Sequence, residues 1–124
     1  SPASSPALPV LHEYRGVKLG MNRNQVKAAM DKPSNNDKDW DEFKLGDGDL
    51  MTVRYDEQNA VKTIQLYFTD SSRAPAWTEA VGSTEFQEQP NGSKVARAVI
   101  KEENFWVTMY QNKSGSVTTI TISR

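Results

Sequence analysis

The chain has 124 residues, with 15 Lys and Arg against 16 Asp and Glu, no Cys, and a formal net charge of −1. This length suits a single domain whose core needs neither a metal nor a disulfide. The charge balance argues against a nucleic-acid partner, and the lack of Cys excludes disulfides, thiol nucleophiles and thiolate metal sites.

The first nine residues, SPASSPALP, are rich in Pro and Ser and carry no charge. This composition favours an extended chain that cannot stabilise its own ordering, so we predict a flexible tether over residues 1–12 and a single domain over residues 13–124. Spacers of this kind are typical of exported proteins, and the chain starts at Ser1 without an initiator Met. We therefore expect a signal peptide or a lipid anchor upstream, and an extracytoplasmic location, periplasmic or outer-membrane-anchored, in a bacterium. The alternative is a cloning boundary in a cytosolic protein.

Residues 13–70 predict one helix followed by three strands. Asn22 is a favoured N-cap, apolar residues follow it at helical spacing, and Pro33 ends the segment, which predicts a helix over residues 23–31. Strands are predicted over residues 41–45, 50–56 and 61–68, separated by polar turns at 46–49 and 57–60. No apolar run approaches the roughly 20 residues of a membrane-spanning helix.

Residues 71–124 repeat that order. Pro75 stands at a permitted helix start and Gly82 at a usual helix end, which predicts a second short helix. A hairpin closed at Asn91 and Gly92 follows, because this dipeptide favours the left-handed turn angles. Two further strands are predicted over residues 105–110 and 117–122.

The two halves align when Tyr55 is set on Tyr110. The alignment matches Val61 with Val117, Thr63 with Thr119, Ile64 with Ile120 and Leu66 with Ile122. The helices and hairpins also follow in the same order, which favours an internal duplication. We therefore predict an α+β fold of two tandem helix-plus-antiparallel-sheet repeats, about residues 13–70 and 71–124, with both helices on one face of the sheet.

The segment GVKLGMNRNQVKAAMDKP, followed by strands ending in VRYDEQNAVKTIQLYF, resembles the SmpA/OmlA family of small outer-membrane assembly lipoproteins. It also resembles the tandem-repeat β-lactamase inhibitory proteins. The family pattern is matched at Leu19, Gly20, Met21, Val26, Pro33 and Tyr55, whereas Asp31 stands where the family usually has Gly. The resemblance implies an extracytoplasmic protein that binds other proteins through a sheet face and has no catalytic activity.

The sequence offers few groups for catalysis or for metal binding. His12 is the only His, and the chain has neither a Cys nor a G-x-S-x-G segment. Asp37, Asp39 and Asp41 have the spacing of a calcium loop, but the Gly and the Glu that this loop requires further on are missing. We expect no enzyme activity, no cofactor and a solvated acidic loop, with a small hydrolase or metal-binding protein as the alternative.

The last hairpin carries more large apolar side chains than one face of a sheet can bury. Side chains alternate along a strand, so Phe105, Val107 and Met109 share one face while Trp106 and Tyr110 share the other. The alignment of the two halves buries Trp106 and Tyr110, whereas plain hydrophobicity buries the other three. Either register leaves an apolar row on the opposite face, which a partner could cover.

We therefore predict a protein-binding site on the open face of the sheet. Its candidate residues are Trp106 and Tyr110, or Phe105 and Met109 in the opposite register, with Arg54 and Tyr67 as neighbours on the first hairpin. The expected function is protein binding or scaffolding in the bacterial envelope. The alternatives are inhibition of a secreted hydrolase, which would use the same face, and a homodimer that covers it.

Overall fold

A computed structural model of the chain describes residues 10–82 and 86–124. The strands are β1 (Glu13–Tyr14), β2 (Val17–Lys18), β3 (Asn35–Asp37), β4 (Trp40–Gly46), β5 (Asp49–Tyr55), β6 (Val61–Phe68), β7 (Gln87–Glu88), β8 (Lys94–Ile100), β9 (Phe105–Gln111) and β10 (Thr118–Ser123). The α-helices are α1 (Arg23–Met30) and α2 (Trp77–Val81), and single 3-10 turns lie at Ser71–Arg73 and Lys101–Glu103. Neither α-helix, nor any other helix in the described ranges, is long and apolar enough to cross a membrane.

Eight of the strands form one antiparallel sheet in the order β3-β4-β5-β6-β10-β9-β8-β7, while β1 and β2 form a separate pair. The strands from β3 to β6 follow one another as a meander, and those from β7 to β10 follow as a second meander. The two meanders join where β6 pairs with β10 over six residues of each strand. This join places the last strand of the chain at the centre of the sheet.

The predicted α+β fold of two tandem helix-plus-antiparallel-sheet repeats is wrong. The described residues are mostly β: the two α-helices among them have only eight and five residues, and eight of the ten strands form one continuous sheet. The pairing of β6 with β10 covers one edge of each of these strands. Both edges would be exposed if the two halves of the chain formed separate sheets. Strands β1, β2 and β3 also come from segments for which no strand was predicted.

The core of the domain lies on one face of the large sheet, which we call the inner face. In β6 the buried residues Ile64, Leu66 and Phe68 alternate with the exposed Gln65 and Tyr67. Ile64 lies opposite Ile122 of β10 and Leu66 lies opposite Ile120, and all four of these side chains are fully buried. Complete burial of one such side chain stabilises the fold by roughly 1.5–3 kcal/mol. The buried helix residues Val26, Ala80 and Val81 belong to the same core.

The folded domain includes Val10 and Leu11, although the tether was predicted to extend to residue 12. The side chain of Val10 is only 5% exposed and packs in the core. The backbone N–H of Leu11 donates a hydrogen bond to the carbonyl oxygen of Ala80 at 3.0 Å, near the end of α2. Residues 1–9, which make up the rest of the predicted tether, lie outside the described residues.

Helix α1 begins at Asn22, the predicted N-cap. The Asn22 side-chain oxygen accepts a hydrogen bond from the backbone N–H of Gln25 at 2.9 Å, and the Gln25 side chain accepts one from the backbone N–H of Asn22 at 3.0 Å. This reciprocal pair satisfies two N–H groups that have no partner within the helix. The helix ends at Met30 because Asp31 takes a φ of 72° and a ψ of −153°.

Replacing Asp31 with Gly is expected to stabilise the protein by about 1 kcal/mol. A side chain at this positive φ and strongly negative ψ destabilises the folded state by roughly 1–3 kcal/mol, and Gly removes this strain. The greater freedom of Gly in the unfolded chain offsets roughly 0.5–1 kcal/mol of the gain. Urea denaturation measures the change. Asp31→Ala keeps the Cβ atom and should bring no gain, so equal stability of the two variants would contradict the strain at this residue.

Candidate functional site

The face of the large sheet opposite the core, which we call the outer face, carries the side chains that alternate with the buried ones. Among the described residues no helix covers this face, because the buried residues of α1 and α2 all belong to the core on the inner face. A broad antiparallel sheet with one covered face presents the other face to its surroundings. The outer face is therefore a candidate surface for binding.

Cross-strand pairing sets the outer-face side chains in rows. In the first row, which we call the tyrosine row, Thr119 of β10 lies between Tyr67 of β6 and Tyr110 of β9. Leu50 extends this row on β5 and Val95 extends it on β8. The row continues to the exposed Lys44 on β4 and the exposed Gln87 on β7, so it crosses seven strands. Its five inner positions, from β5 to β8, are apolar or aromatic except Thr119 on β10.

A second row, which we call the tryptophan row, lies four residues along each strand from the tyrosine row. It contains, from β4 to β8, the residues Trp40, Arg54, Thr63, Ser123, Trp106 and Val99. Between the two rows lies a polar row of Glu42, Thr52, Gln65, Thr121, Thr108 and Arg97. The outer face thus has two bands with aromatic groups, separated by a band of hydroxyl, amide and charged groups.

The structure places four of the six predicted binding residues together on the outer face: Trp106, Tyr110, Arg54 and Tyr67. The side chain of Tyr67 is 40% exposed, Arg54 is exposed, and Trp106 and Tyr110 are half-buried. The other two predicted residues, Phe105 and Met109, point into the core and are only 5% and 1% exposed. These two side chains cannot meet a partner on the outer face.

Plain hydrophobicity therefore gives the correct register of β9, and the alignment of the two halves does not. Tyr55 is buried on the inner face, whereas Tyr110, with which it was aligned, lies on the outer face. The alignment is displaced by one residue at this strand. A displacement of one residue exchanges the two faces, because side chains alternate with a period of two.

Two arginines lie beside the tryptophans of the outer face. The Arg97 guanidinium carbon is 4.8 Å from the centre of the Trp106 ring, which is the geometry of a cation–π contact. Arg54 pairs directly with Trp40 across β5 and β4. Within the described part of the chain Arg54 forms no ion pair. The outer face therefore offers both aromatic rings and cationic groups.

Sequence reasoning missed Trp40, Arg97 and Val99 as members of this face. Val99 is 56% exposed, the highest value for a large apolar side chain in the described ranges. Trp40 stands in the stretch that was interpreted as a polar loop, and it enters the face only because β4 begins there. A signal that could have found it is its odd spacing from the apolar Phe43 and Leu45, which places Trp40 on the opposite face of the strand.

Asp41, which was expected in a solvated acidic loop, is completely buried. Its two carboxylate oxygens accept hydrogen bonds from Nε and Nη2 of Arg23 at 3.1 and 2.8 Å, and the Tyr55 hydroxyl donates a third at 2.7 Å. Burial raises the pKa of Asp41, but the hydrogen bonds from Arg23 and Tyr55 outweigh it and hold the pKa below its ordinary value. The carboxylate is therefore ionised and ties α1 to β4 and β5.

Tyr55 and Arg23, which both donate to Asp41, are also engaged by burial and by further hydrogen bonds. Burial, together with the hydrogen bond to Asp41, raises the pKa of the Tyr55 hydroxyl far above its ordinary value. Arg23 also donates to the backbone carbonyls of Asp37 and Lys38, both at 2.7 Å. These three side chains, which we call the Asp41 cluster, have a structural role because their donors and acceptors are already engaged.

A second buried carboxylate, Asp49, stabilises the turn after β6. Nε of Arg73 donates to it at 2.8 Å and the backbone N–H of Thr69 donates at 2.9 Å. The hydrogen bonds from Arg73, together with those from Thr69, lower the pKa of Asp49 to about 2. Asp49 is therefore a structural anion at neutral pH.

In residues 10–82 and 86–124, no three His, Cys, Asp or Glu side chains are grouped so that they could hold a metal ion. Comparison with family models, with curated proteins and with solved structures found no match. Any functional assignment therefore depends on the geometry and chemistry of the outer face.

Proposed function

We propose that this protein is a non-catalytic binding or scaffolding protein that holds another protein against its outer face. The observation that carries the proposal is the gathering of Trp106, Tyr110, Tyr67 and Arg54 on one sheet face that no described helix covers. Interfaces between proteins are enriched in Trp, Tyr and Arg, and these residues supply most binding hot spots.

The arrangement of these groups supports a protein partner. The aromatic side chains lie in two rows on a rigid sheet, so little conformational entropy is lost when a partner covers them. Arg54 and Arg97 stand beside tryptophans, where a guanidinium can pair with a carboxylate while its flat face stays on the ring. We further propose an extracytoplasmic location in the bacterial envelope, supported by the Pro- and Ser-rich composition of residues 1–9.

The test is affinity capture from a cell-envelope extract, followed by affinity measurement with the captured partner in purified form. We expect Trp106→Ser and Tyr110→Ser each to weaken binding by about 2 kcal/mol or more, because each removes an aromatic anchor from the face. Phe86→Ser is the matched control. Phe86 is 41% exposed, almost the same as Tyr67, but it stacks on Trp77 of α2, away from the outer face.

A partner that binds the wild type and the Phe86→Ser variant equally, and binds the two outer-face variants weakly, would support the proposal. Equal recovery of every partner by all variants would overturn it. Cell fractionation tests the location independently, since a protein found only in the cytosol would contradict an envelope role without bearing on the binding face.

A further inference from the structure

The outer face carries a surface cavity at the end of the β8–β9 hairpin, which we call the hairpin cavity. Its volume is about 240 Å³, and it is lined by Val99, Ile100, Lys101, Asn104, Phe105 and Trp106. Four of these six side chains are apolar or aromatic. Because Val99 and Trp106 pair across the two strands and belong to the tryptophan row, the hairpin cavity continues the outer face.

A tight turn closes the hairpin beside this cavity. Lys101–Glu103 form a 3-10 turn, and Asn104 then takes a left-handed φ of 60°. The backbone N–H of Asn104 donates a hydrogen bond to the carbonyl oxygen of Lys101 at 3.2 Å. The pairing of β8 with β9 therefore ends one residue beyond Val99 and Trp106, and no further pair of strand residues covers these two side chains on the outer face.

The volume of the hairpin cavity suits one side chain and not a whole small ligand. Pockets for small molecules and cofactors measure roughly 300–1,000 Å³, which is more than the 240 Å³ of this cavity. Its floor includes Ile100 and Phe105, which pack in the core, and its wall includes Val99, which is 56% exposed. A side chain that enters would cover this apolar surface, and anchors of this kind dominate the binding energy of interfaces.

Lys101 supplies the only charge in the lining of the hairpin cavity. It forms no ion pair with any described residue. Glu102 and Glu103 belong to the same turn but do not line this cavity, and Glu103 lines a separate one. A second cation, Arg97, contacts the ring of Trp106. A carboxylate next to the entering side chain would therefore be stabilised at this end of the outer face.

We propose that the hairpin cavity binds one large apolar side chain of the partner protein, a Phe or a Leu, that has an acidic residue next to it in the partner's sequence. This inference rests on the proposed function and names the part of the partner that the outer face recognises. The apolar side chain replaces water on Val99 and Trp106, and the neighbouring carboxylate pairs with the Lys101 ammonium. The Asn104 amide can both donate to and accept from the backbone of the same segment.

NMR titration of the ¹⁵N-labelled protein with acetyl-Phe-Glu-amide tests the inference. We expect the Trp106 indole signal and the backbone signals of Val99, Lys101 and Asn104 to shift and to saturate. Acetyl-Ala-Glu-amide lacks the ring and should leave these signals in place. Acetyl-Phe-Gln-amide lacks the charge and should bind about threefold more weakly. Equal shifts with the Phe and Ala peptides would show that no side chain enters the cavity, and the inference would be wrong.

A variant of the cavity wall tests where the apolar side chain binds. Val99→Ser should raise the Kd for acetyl-Phe-Glu-amide about fivefold, because it removes apolar surface from the wall. Val95→Ser is the matched control, since Val95 lies on the same face of β8, four residues earlier, and should leave the Kd unchanged. If both variants weaken binding equally, the peptide adheres to the outer face in general and the hairpin cavity is not its site.

A charge variant tests the acidic neighbour. Lys101→Gln should raise the Kd for acetyl-Phe-Glu-amide about threefold and leave that for acetyl-Phe-Gln-amide unchanged. Lys113→Gln is the matched control, because Lys113 is an exposed lysine in the turn that follows the other end of β9. Equal effects of Lys101→Gln on the two peptides would show that no ion pair forms at the cavity, and the inference would be wrong.

The partner captured from the envelope extract separates this inference from the proposed function. Val99→Ser and Lys101→Gln should each weaken its binding. If its binding depends on Trp106 and Tyr110 but on neither Val99 nor Lys101, the inference fails and the proposed function stands.

Two further results would replace the partner by another occupant of the hairpin cavity. Dimerisation of the wild type that Val99→Ser abolishes would make the occupant a second copy of this chain. Tighter binding of phenylpropionate than of acetyl-Phe-Glu-amide would make it a small carboxylate. Either result would overturn the inference.

Discussion

Replacing Asp41 with Ala is expected to lower the free energy of unfolding by about 3–5 kcal/mol. The substitution leaves the Arg23 guanidinium and the Tyr55 hydroxyl in a partly buried site without the carboxylate that both of them contact. Removing one partner of a buried ion pair is strongly destabilising because the remaining charge is uncompensated. Urea denaturation of the variant against the wild type measures the loss.

Asp39→Ala is the matched control, since Asp39 is an exposed aspartate two residues away and should change stability by less than about 0.5 kcal/mol. The double variant Asp41→Ala with Arg23→Met should recover part of the loss, because no unpaired charge remains. If Asp41→Ala lowers the free energy of unfolding as little as Asp39→Ala does, the Asp41 cluster does not hold α1 against the sheet.

The second large effect is expected at the centre of the sheet. Ile64→Ala and Ile120→Ala should each destabilise the protein by about 2–5 kcal/mol, because each empties a fully buried site in a well-packed core. Both residues lie on the two strands that join the meanders, so the loss weakens the join itself. Denaturant melts at one protein concentration measure the change in the free energy of unfolding.

The control for these two variants is Thr121→Ala. Thr121 lies on β10 next to Ile120 but points to the outer face, so its loss should have a small effect on stability. A loss well under 1 kcal/mol at Ile64 or Ile120 would mean that these side chains are not in the core and that β6 and β10 do not pair as described.

Local patterns in the sequence were sufficient to predict most of the individual helices and strands. Helix α1 was predicted within one residue because Asn22 caps it, and β6 was predicted over residues 61–68 because strand-forming residues follow a polar turn there. These signals depend on neighbours along the chain. The pairing of β6 with β10 depends instead on residues far apart in the chain, since it brings Thr63 beside Ser123. For this reason the single sheet was not predicted.

The same distinction explains which residues of the outer face could be predicted. Trp106 and Tyr110 were one of two candidate rows, because large side chains on both faces of β9 must leave one row outside the core, and the sequence did not decide which. The burial of Asp41 could not be predicted from the acidic stretch around it, since it depends on Arg23, which lies 18 residues earlier in the chain. The edge strand β3 was missed because its sequence, Asn-Asn-Asp, has no apolar alternation.

The central position of β10 has a consequence for the order of events during synthesis. β6 and β9 are complete before β10, yet each of them needs β10 to cover one of its edges. At about 5–20 residues per second, the edge of β6 stays unpaired for roughly 3–11 s while the chain from Phe68 to Ser123 is made. The strand made last therefore closes the sheet, and until then the nascent chain carries two strand edges that other chains could pair with.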